Sequence, residues 1–103
     1  MFTFSNRKDG FVNLDDIVSI FIGKTGDKIV GTDRSGKNWN IAFYEDIEQC
    51  RIALLNLKNG MLENKAVYEM PSVECVRKAI EIAHRDQKNR SLKGKKVHGH
   101  GKS

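Results

Sequence analysis

Over the first forty-odd positions, short runs of β-branched and aromatic residues alternate with turn clusters, the pattern of antiparallel strands. Phe2 to Phe4 reads as a short strand ended by the polar run to Asp9-Gly10. Phe11-Val12 follows, then Asn13-Leu14-Asp15-Asp16 as a bend or one turn of helix, then Ile17 to Ile22, the strongest run and the expected central strand. Gly23 to Asp27 supplies residues tolerant of positive φ for a hairpin loop, and Lys28 to Thr32 returns. A turn at Asp33-Arg34-Ser35-Gly36 leads to Trp39-Asn40-Ile41-Ala42-Phe43, completing a three-stranded meander. Strict alternation puts Trp39, Ile41 and Phe43 on one face of that last strand, so Trp39 is expected in the core against a helix.

The period changes at Tyr44. Ile47, Cys50, Ala53, Leu54 and Leu57 recur at three- and four-residue steps, while Glu45, Asp46 and Glu48 occupy the first turn, where the helix dipole favours acids. A helix over Glu45 to Lys58 is predicted, with Asn59-Gly60 as its left-handed stop. Ala66 to Met70 alternates as a short strand or extended edge. Pro71 breaks it, and Ser72 caps a second helix to Asn89 with the apolar face Val73, Val76, Ala79, Ile80 and Ala83. The fold class is therefore α+β: a three- to four-stranded antiparallel meander with one helix packed on the sheet, a second C-terminal helix and a flexible basic tail. Residues 1–90 form the expected single domain and residues 91–103 the disordered tail, which is too poor in apolar groups to offset chain entropy.

The charge sharpens this division. The chain has 103 residues and a formal net charge of +5. From His84 to Ser103 seven cations, Arg85, Lys88, Arg90, Lys93, Lys95, Lys96 and Lys102, face the single acid Asp86, a local net of +6. Residues 1–83 hold eleven bases and twelve acids, so the body is nearly neutral. Such a segment contacts phosphates by counterion release without a fixed fold, or serves solubility, or meets an acidic protein or membrane surface. Those seven cations are the candidate nucleic-acid or acidic-partner site.

Other chemistry is sparse. Gly23-Lys24-Thr25 lacks the glycine five positions earlier that a phosphate loop needs, since Val18 stands there. His98 and His100 have no nearby Cys or acid to complete a metal site, and Cys50 and Cys75, both expected on buried helix faces, lack zinc or redox spacing. His84, the one histidine of the folded body, has no evident partner for catalysis, and Asp15-Asp16 reads as a turn. Trp39, Phe43, Tyr44 and Tyr68 offer a base-stacking surface only if two of them share an exposed face; core packing is favoured. No catalytic residue, metal or cofactor is expected. With no leader pattern, no lipidation motif and no apolar run of about 18 residues, the expected location is cytoplasmic.

Phe11-Val12-Asn13-Leu14-Asp15-Asp16-Ile17, a hairpin, and Phe43-Tyr44-Glu45-Asp46-Ile47-Glu48-Gln49-Cys50 together resemble small proteins of phages and mobile elements in Gram-positive bacteria, over residues 11–58. Several of those are anti-CRISPR inhibitors, which block a Cas nuclease or its guide RNA by stoichiometric binding and generally lack catalytic residues. The resemblance implies a curved antiparallel sheet with one helix and a non-enzymatic binding function. Many of the inhibitors are acidic; this chain is basic, which argues against simple DNA mimicry. The expected partner is a protein or ribonucleoprotein, with additional RNA or DNA phosphate contacts and no membrane. The alternative is a small nucleic-acid-binding regulator that uses the second helix and the basic tail.

Overall fold

The computed structural model describes the backbone of residues 1–99 and the side chains of residues 1–86. Its fold is mixed α+β. Strands β1 (Phe2–Phe4) and β2 (Phe11–Asn13) lead through a 3-10 turn (Leu14–Asp16) into β3 (Ile17–Ile22), β4 (Lys28–Asp33) and β5 (Asn38–Phe43). Helix α1 (Ile47–Leu62), strand β6 (Val67–Glu69) and helix α2 (Val73–Gly99) follow.

The meander is present as an antiparallel sheet in the order β3-β4-β5. Its central strand is β4, not Ile17 to Ile22 as expected; β3 is an edge. The cause lies in β4, where Ile29, Val30 and Gly31 are buried in succession, the mark of a strand covered on both faces. Gly31 is closely packed, since a Cβ there would stand 2.9 Å from Ile41 Cδ1 and 3.1 Å from Ile17 Cγ2. The hairpin at Gly23 to Asp27 closes with the Gly26 N–H donating to the Gly23 carbonyl and Gly26 at φ +75°.

Apart from the expected meander there is a second sheet, β2-β1-β6. β1 is its centre, antiparallel to β2 and parallel to β6, with Thr3 opposite both Val12 and Tyr68. The parallel pairing follows from the connection: β6 arrives after a helical crossover, the geometry that parallel neighbours require. The core comprises Leu14, Ile29, Ile41, Ala42, Tyr44, Cys50, Ala53, Leu57, Met70 and Val76, contributed by β4, β5, both helices and the segments that flank the strands.

Helix α1 starts at Ile47, two residues after the Glu45 expected, because Asp46 is its N-cap and accepts from the Gln49 N–H. It does not stop at Asn59-Gly60. Gly60 is buried inside the helix, and the left-handed residue is Asn64, φ +59°, with its N–H donating to the Met61 carbonyl. Ser72 caps α2, its hydroxyl accepting from the Cys75 N–H at 3.1 Å. Val76 is buried and Val73 and Ile80 half-buried, but Glu81 to Asp86 are exposed throughout, so core contact fades along α2. Its end at Gly99 lies past the Asn89 expected. The expected disordered tail, 91–103, falls where side chains are not described and, from residue 100, outside the described residues.

Three further expectations are corrected. Trp39 is 41% exposed rather than packed against α1. The register steps from Ile29–Ala42 to Val30–Asn40, so Ile41 is a bulge residue, alternation breaks, and Ile41 and Ala42 are both buried. Cys75 is exposed, because it lies beside and not on the stripe of Val73, Val76 and Ile80; Cys50 is buried, which raises its thiol pKa. His84 has a partner that sequence spacing conceals, Glu48 Oε2 at 3.2 Å.

Candidate interaction site

Alternation in β1 turns Thr3 into the core and leaves Phe2 and Phe4 on the outer face of the sheet β2-β1-β6. Register then places Phe11 beside Phe4, and Val67 beside Phe2. The rings touch: Phe2 and Phe11 have centroids 5.8 Å apart edge to face, and Phe4 and Phe11 are 5.3 Å apart. Yet Phe2, Phe4, Phe11 and Val67 remain 45%, 39%, 59% and 57% exposed, because a small sheet with one face on the core has nothing among the described residues to cover the other. A contiguous apolar patch of this kind marks an interaction surface more often than scattered exposed residues do.

Lys8 and Glu69 complete the patch, lining with Phe4 and Val67 a depression of about 390 Å³. Lys8 reaches it from a tight turn in which it takes a left-handed conformation, φ +59°, and donates its N–H to the Ser5 carbonyl. Arg7, next to it, turns the other way and lies 3.7 Å over the Phe43 ring. The rim is thus one cation and one anion, a charge balance suited to a protein surface and poorly suited to a polyanion.

The four aromatics weighed as a stacking surface are not assembled into one. Tyr44 is buried, and its hydroxyl donates to the Pro71 carbonyl at 2.8 Å; burial raises its pKa. Tyr68 packs on Gly60, while Phe43 lies under Arg7. Trp39 stands alone at the β4–β5 turn, with Lys37 Nζ 4.1 Å from its ring centroid. The surface phenylalanines have only the Phe-Thr-Phe run as their signal in the sequence: a polar residue between two aromatics in a strand leaves the face of the ring pair undecided until packing assigns it.

Of the cationic candidates, Arg85 is exposed on α2. Lys88, Arg90, Lys93, Lys95 and Lys96 lie within the bounds of the same helix, with side chains outside those described; Lys102 lies outside the described residues. His98 falls within those helix bounds, also with its side chain outside those described, and His100 outside the described residues. Among the described residues no group of three or more His, Cys, Asp or Glu is placed to hold a metal ion, and no helix is long and apolar enough to cross a membrane. On α2 the polar contacts of Arg77 and His84 are structural: Arg77 pairs with Glu45 at 2.8 Å and His84 with Glu48 at 3.2 Å, joining α2 to the beginning of α1 and the residue before its cap. The hydrogen bond from Arg77 holds the Glu45 carboxyl below its ordinary pKa.

Comparison of the chain with protein-family models, with curated proteins and with solved structures finds no match.

Proposed function

We propose that this is a non-enzymatic binding protein that associates stoichiometrically with a protein or ribonucleoprotein through the outer face of β2-β1-β6. The observation that supports it is the cluster of Phe2, Phe4 and Phe11, mutually packed and half-exposed beside the balanced pair Lys8 and Glu69. Desolvating such rings on a partner supplies the central apolar contact that typical interfaces need. In its sharpest form, resting on the resemblance of residues 11–58 to phage and mobile-element proteins, the partner is a Cas nuclease. The test is inhibition of DNA cleavage by assembled Cas ribonucleoproteins at increasing chain-to-enzyme ratios, with Phe4→Glu/Phe11→Glu as the control. The reading expects titration with an end point near one chain per complex, abolished in the variant while its thermal unfolding is retained. For the broader reading, affinity capture from nuclease-treated lysate of such a bacterium replaces cleavage; a captured set indifferent to the double substitution overturns it.

A second reading, nucleic-acid contact by Arg85, Lys88, Arg90, Lys93, Lys95, Lys96 and Lys102, is favoured by the local net of +6 and by the exposure of every residue from Glu81 to Asp86. Under it, Lys93→Gln/Lys95→Gln/Lys96→Gln reduces the log-log salt slope of RNA or DNA binding by about 2 to 3, uniformly across sequences. An unchanged slope returns the segment to a solubility role.

A further inference from the structure

A groove of about 450 Å³ runs between α1 and β3 on residues that the aromatic patch does not use. Its apolar lining includes Ile20 of β3 and Leu54, Leu55 and Met61 of α1, and its two ionisable residues are Arg51 and Lys58. Both are cations, both are exposed, and no ion pair among the described residues includes either. The one acid of α1, Glu48, has His84 as its partner, and Glu45, just before the helix, has Arg77. Arg51 and Lys58 are the two cations of α1, and both stand outside any such pair beside the apolar groove.

The spacing on α1 has a definite period. Arg51, Leu54, Leu55, Lys58 and Met61 stand at i, i+3, i+4, i+7 and i+10, one stripe of a helix adjoining the stripe of Cys50, Ala53 and Leu57 that enters the core. The cations are one heptad apart, about 10.5 Å along the axis. On the far side β3 is the free edge of its sheet, so the groove is open where a further element would lie.

We propose that the groove docks an acidic amphipathic helix of a partner protein. Its apolar stripe seats on Ile20, Leu54, Leu55 and Met61, and two of its carboxylates one heptad apart pair with Arg51 and Lys58. A helix matches because ridges of side chains at three- and four-residue steps interlock with a stripe of the same period. The groove holds no aromatic ring on which a base can stack, which disfavours nucleic acid. A second copy of this chain is disfavoured by charge. The exposed acids of its α2, Glu74, Glu81 and Asp86, are each followed four residues later by a base, Lys78, Arg85 and Arg90, and Glu48 of its α1 pairs with His84, so neither helix has net negative charge to offer.

The test uses the full chain, immobilised, to select from a phage-displayed library of randomised 16-residue peptides. The proposal expects enrichment of helix-forming sequences with Asp or Glu at two positions seven apart and Leu, Met or Phe at three- and four-residue steps between them. Binding of an enriched synthetic peptide, read by fluorescence anisotropy, falls at least about tenfold in Arg51→Glu/Lys58→Glu, about 1.4 kcal/mol. Selection on that variant favours Lys and Arg at the same two positions. Both substituted side chains are exposed, and an unchanged thermal midpoint checks that the variant is folded. No enrichment, enrichment without acids, proline-rich extended sequences, or binding indifferent to the charge reversal each overturn the proposal. So does elution of the peptides by excess free chain that self-associates in sedimentation, which assigns the groove to a second copy.

Discussion

Gly60 lies directly against the Tyr68 ring: a Cβ on Gly60 would stand 2.8 Å from Tyr68 Cδ1 and 2.9 Å from Cε1. This contact joins the last turns of α1 to β6, and it explains why a glycine placed like a helix stop lies inside the helix instead. Gly60→Ala gains roughly 1 kcal/mol of helix propensity but overpacks a site where such errors cost about 1 to 3 kcal/mol. A net loss of about 1 kcal/mol in urea unfolding is expected. In a Tyr68→Ala background the same substitution becomes stabilising, and a loss of equal size in both backgrounds contradicts the contact.

Asp33 is held by four donors at the β4–β5 turn. Its Oδ1 accepts from the Ser35 N–H, the Ser35 hydroxyl and the Lys37 N–H, and its Oδ2 accepts from the Trp39 indole N–H at 3.0 Å. These bonds, the Ser35 hydroxyl foremost, hold its pKa well below the usual carboxylate range. A depressed carboxylate contributes stability that is complete above its unfolded pKa near ~4 and is lost as pH falls through the folded value. Asp33→Asn therefore lowers the thermal midpoint at neutral pH, and the gap to the parent chain narrows as the pH is taken down from about 4. A constant gap rules out the carboxylate as its source. Trp39 is the chain's single tryptophan, so its fluorescence reports the same titration locally.

Thr3 is 1% exposed and its Oγ1 is the one buried side-chain polar atom without a hydrogen-bond partner among the described residues. Valine reproduces its shape without the hydroxyl, and an unsatisfied buried polar group costs about 1 to 3 kcal/mol. Thr3→Val is expected to stabilise by about 1 kcal/mol, raising the midpoint by roughly 5 °C. Destabilisation of that size instead shows the hydroxyl to be satisfied in solution.

The Asn6 amide clips the β1–β2 turn to the edge of β5. Its Nδ2 donates to the Phe43 carbonyl at 2.6 Å and its Oδ1 accepts from the Phe43 N–H at 3.0 Å, imitating a strand partner across the gap between the two sheets. Asn6→Ala leaves both backbone groups unpaired, so a loss of about 1 to 3 kcal/mol is expected. Hydrogen exchange at the Phe43 amide accelerates relative to its neighbours in β4. Unchanged protection there contradicts the clip.

Local sequence was sufficient for those elements whose causes are local. The turn at Gly23 to Asp27, the cap at Ser72, the strand runs and the amphipathic period of α1 and α2 are set by backbone preference and by spacing within a few residues. So the meander, both helices, the start of α2 and the α+β class were legible. What lay beyond reach depended on which surfaces meet. Ile17 to Ile22 is the most apolar run, yet β4 is central because both of its faces are covered, and coverage is a property of neighbours. Trp39 and Ile41 share a parity that a single bulge cancels. Gly60 looks like a stop until Tyr68 arrives from β6. Phe2, Phe4 and Phe11 are hydrophobic enough for any core, and only the pairing of β1 with two partners, one face inward through Thr3, leaves them outside. The groove likewise needs β3 to be an edge, a fact of strand order. Periodicity states that a face is apolar; the tertiary structure decides whether that face is used for folding or left for a partner.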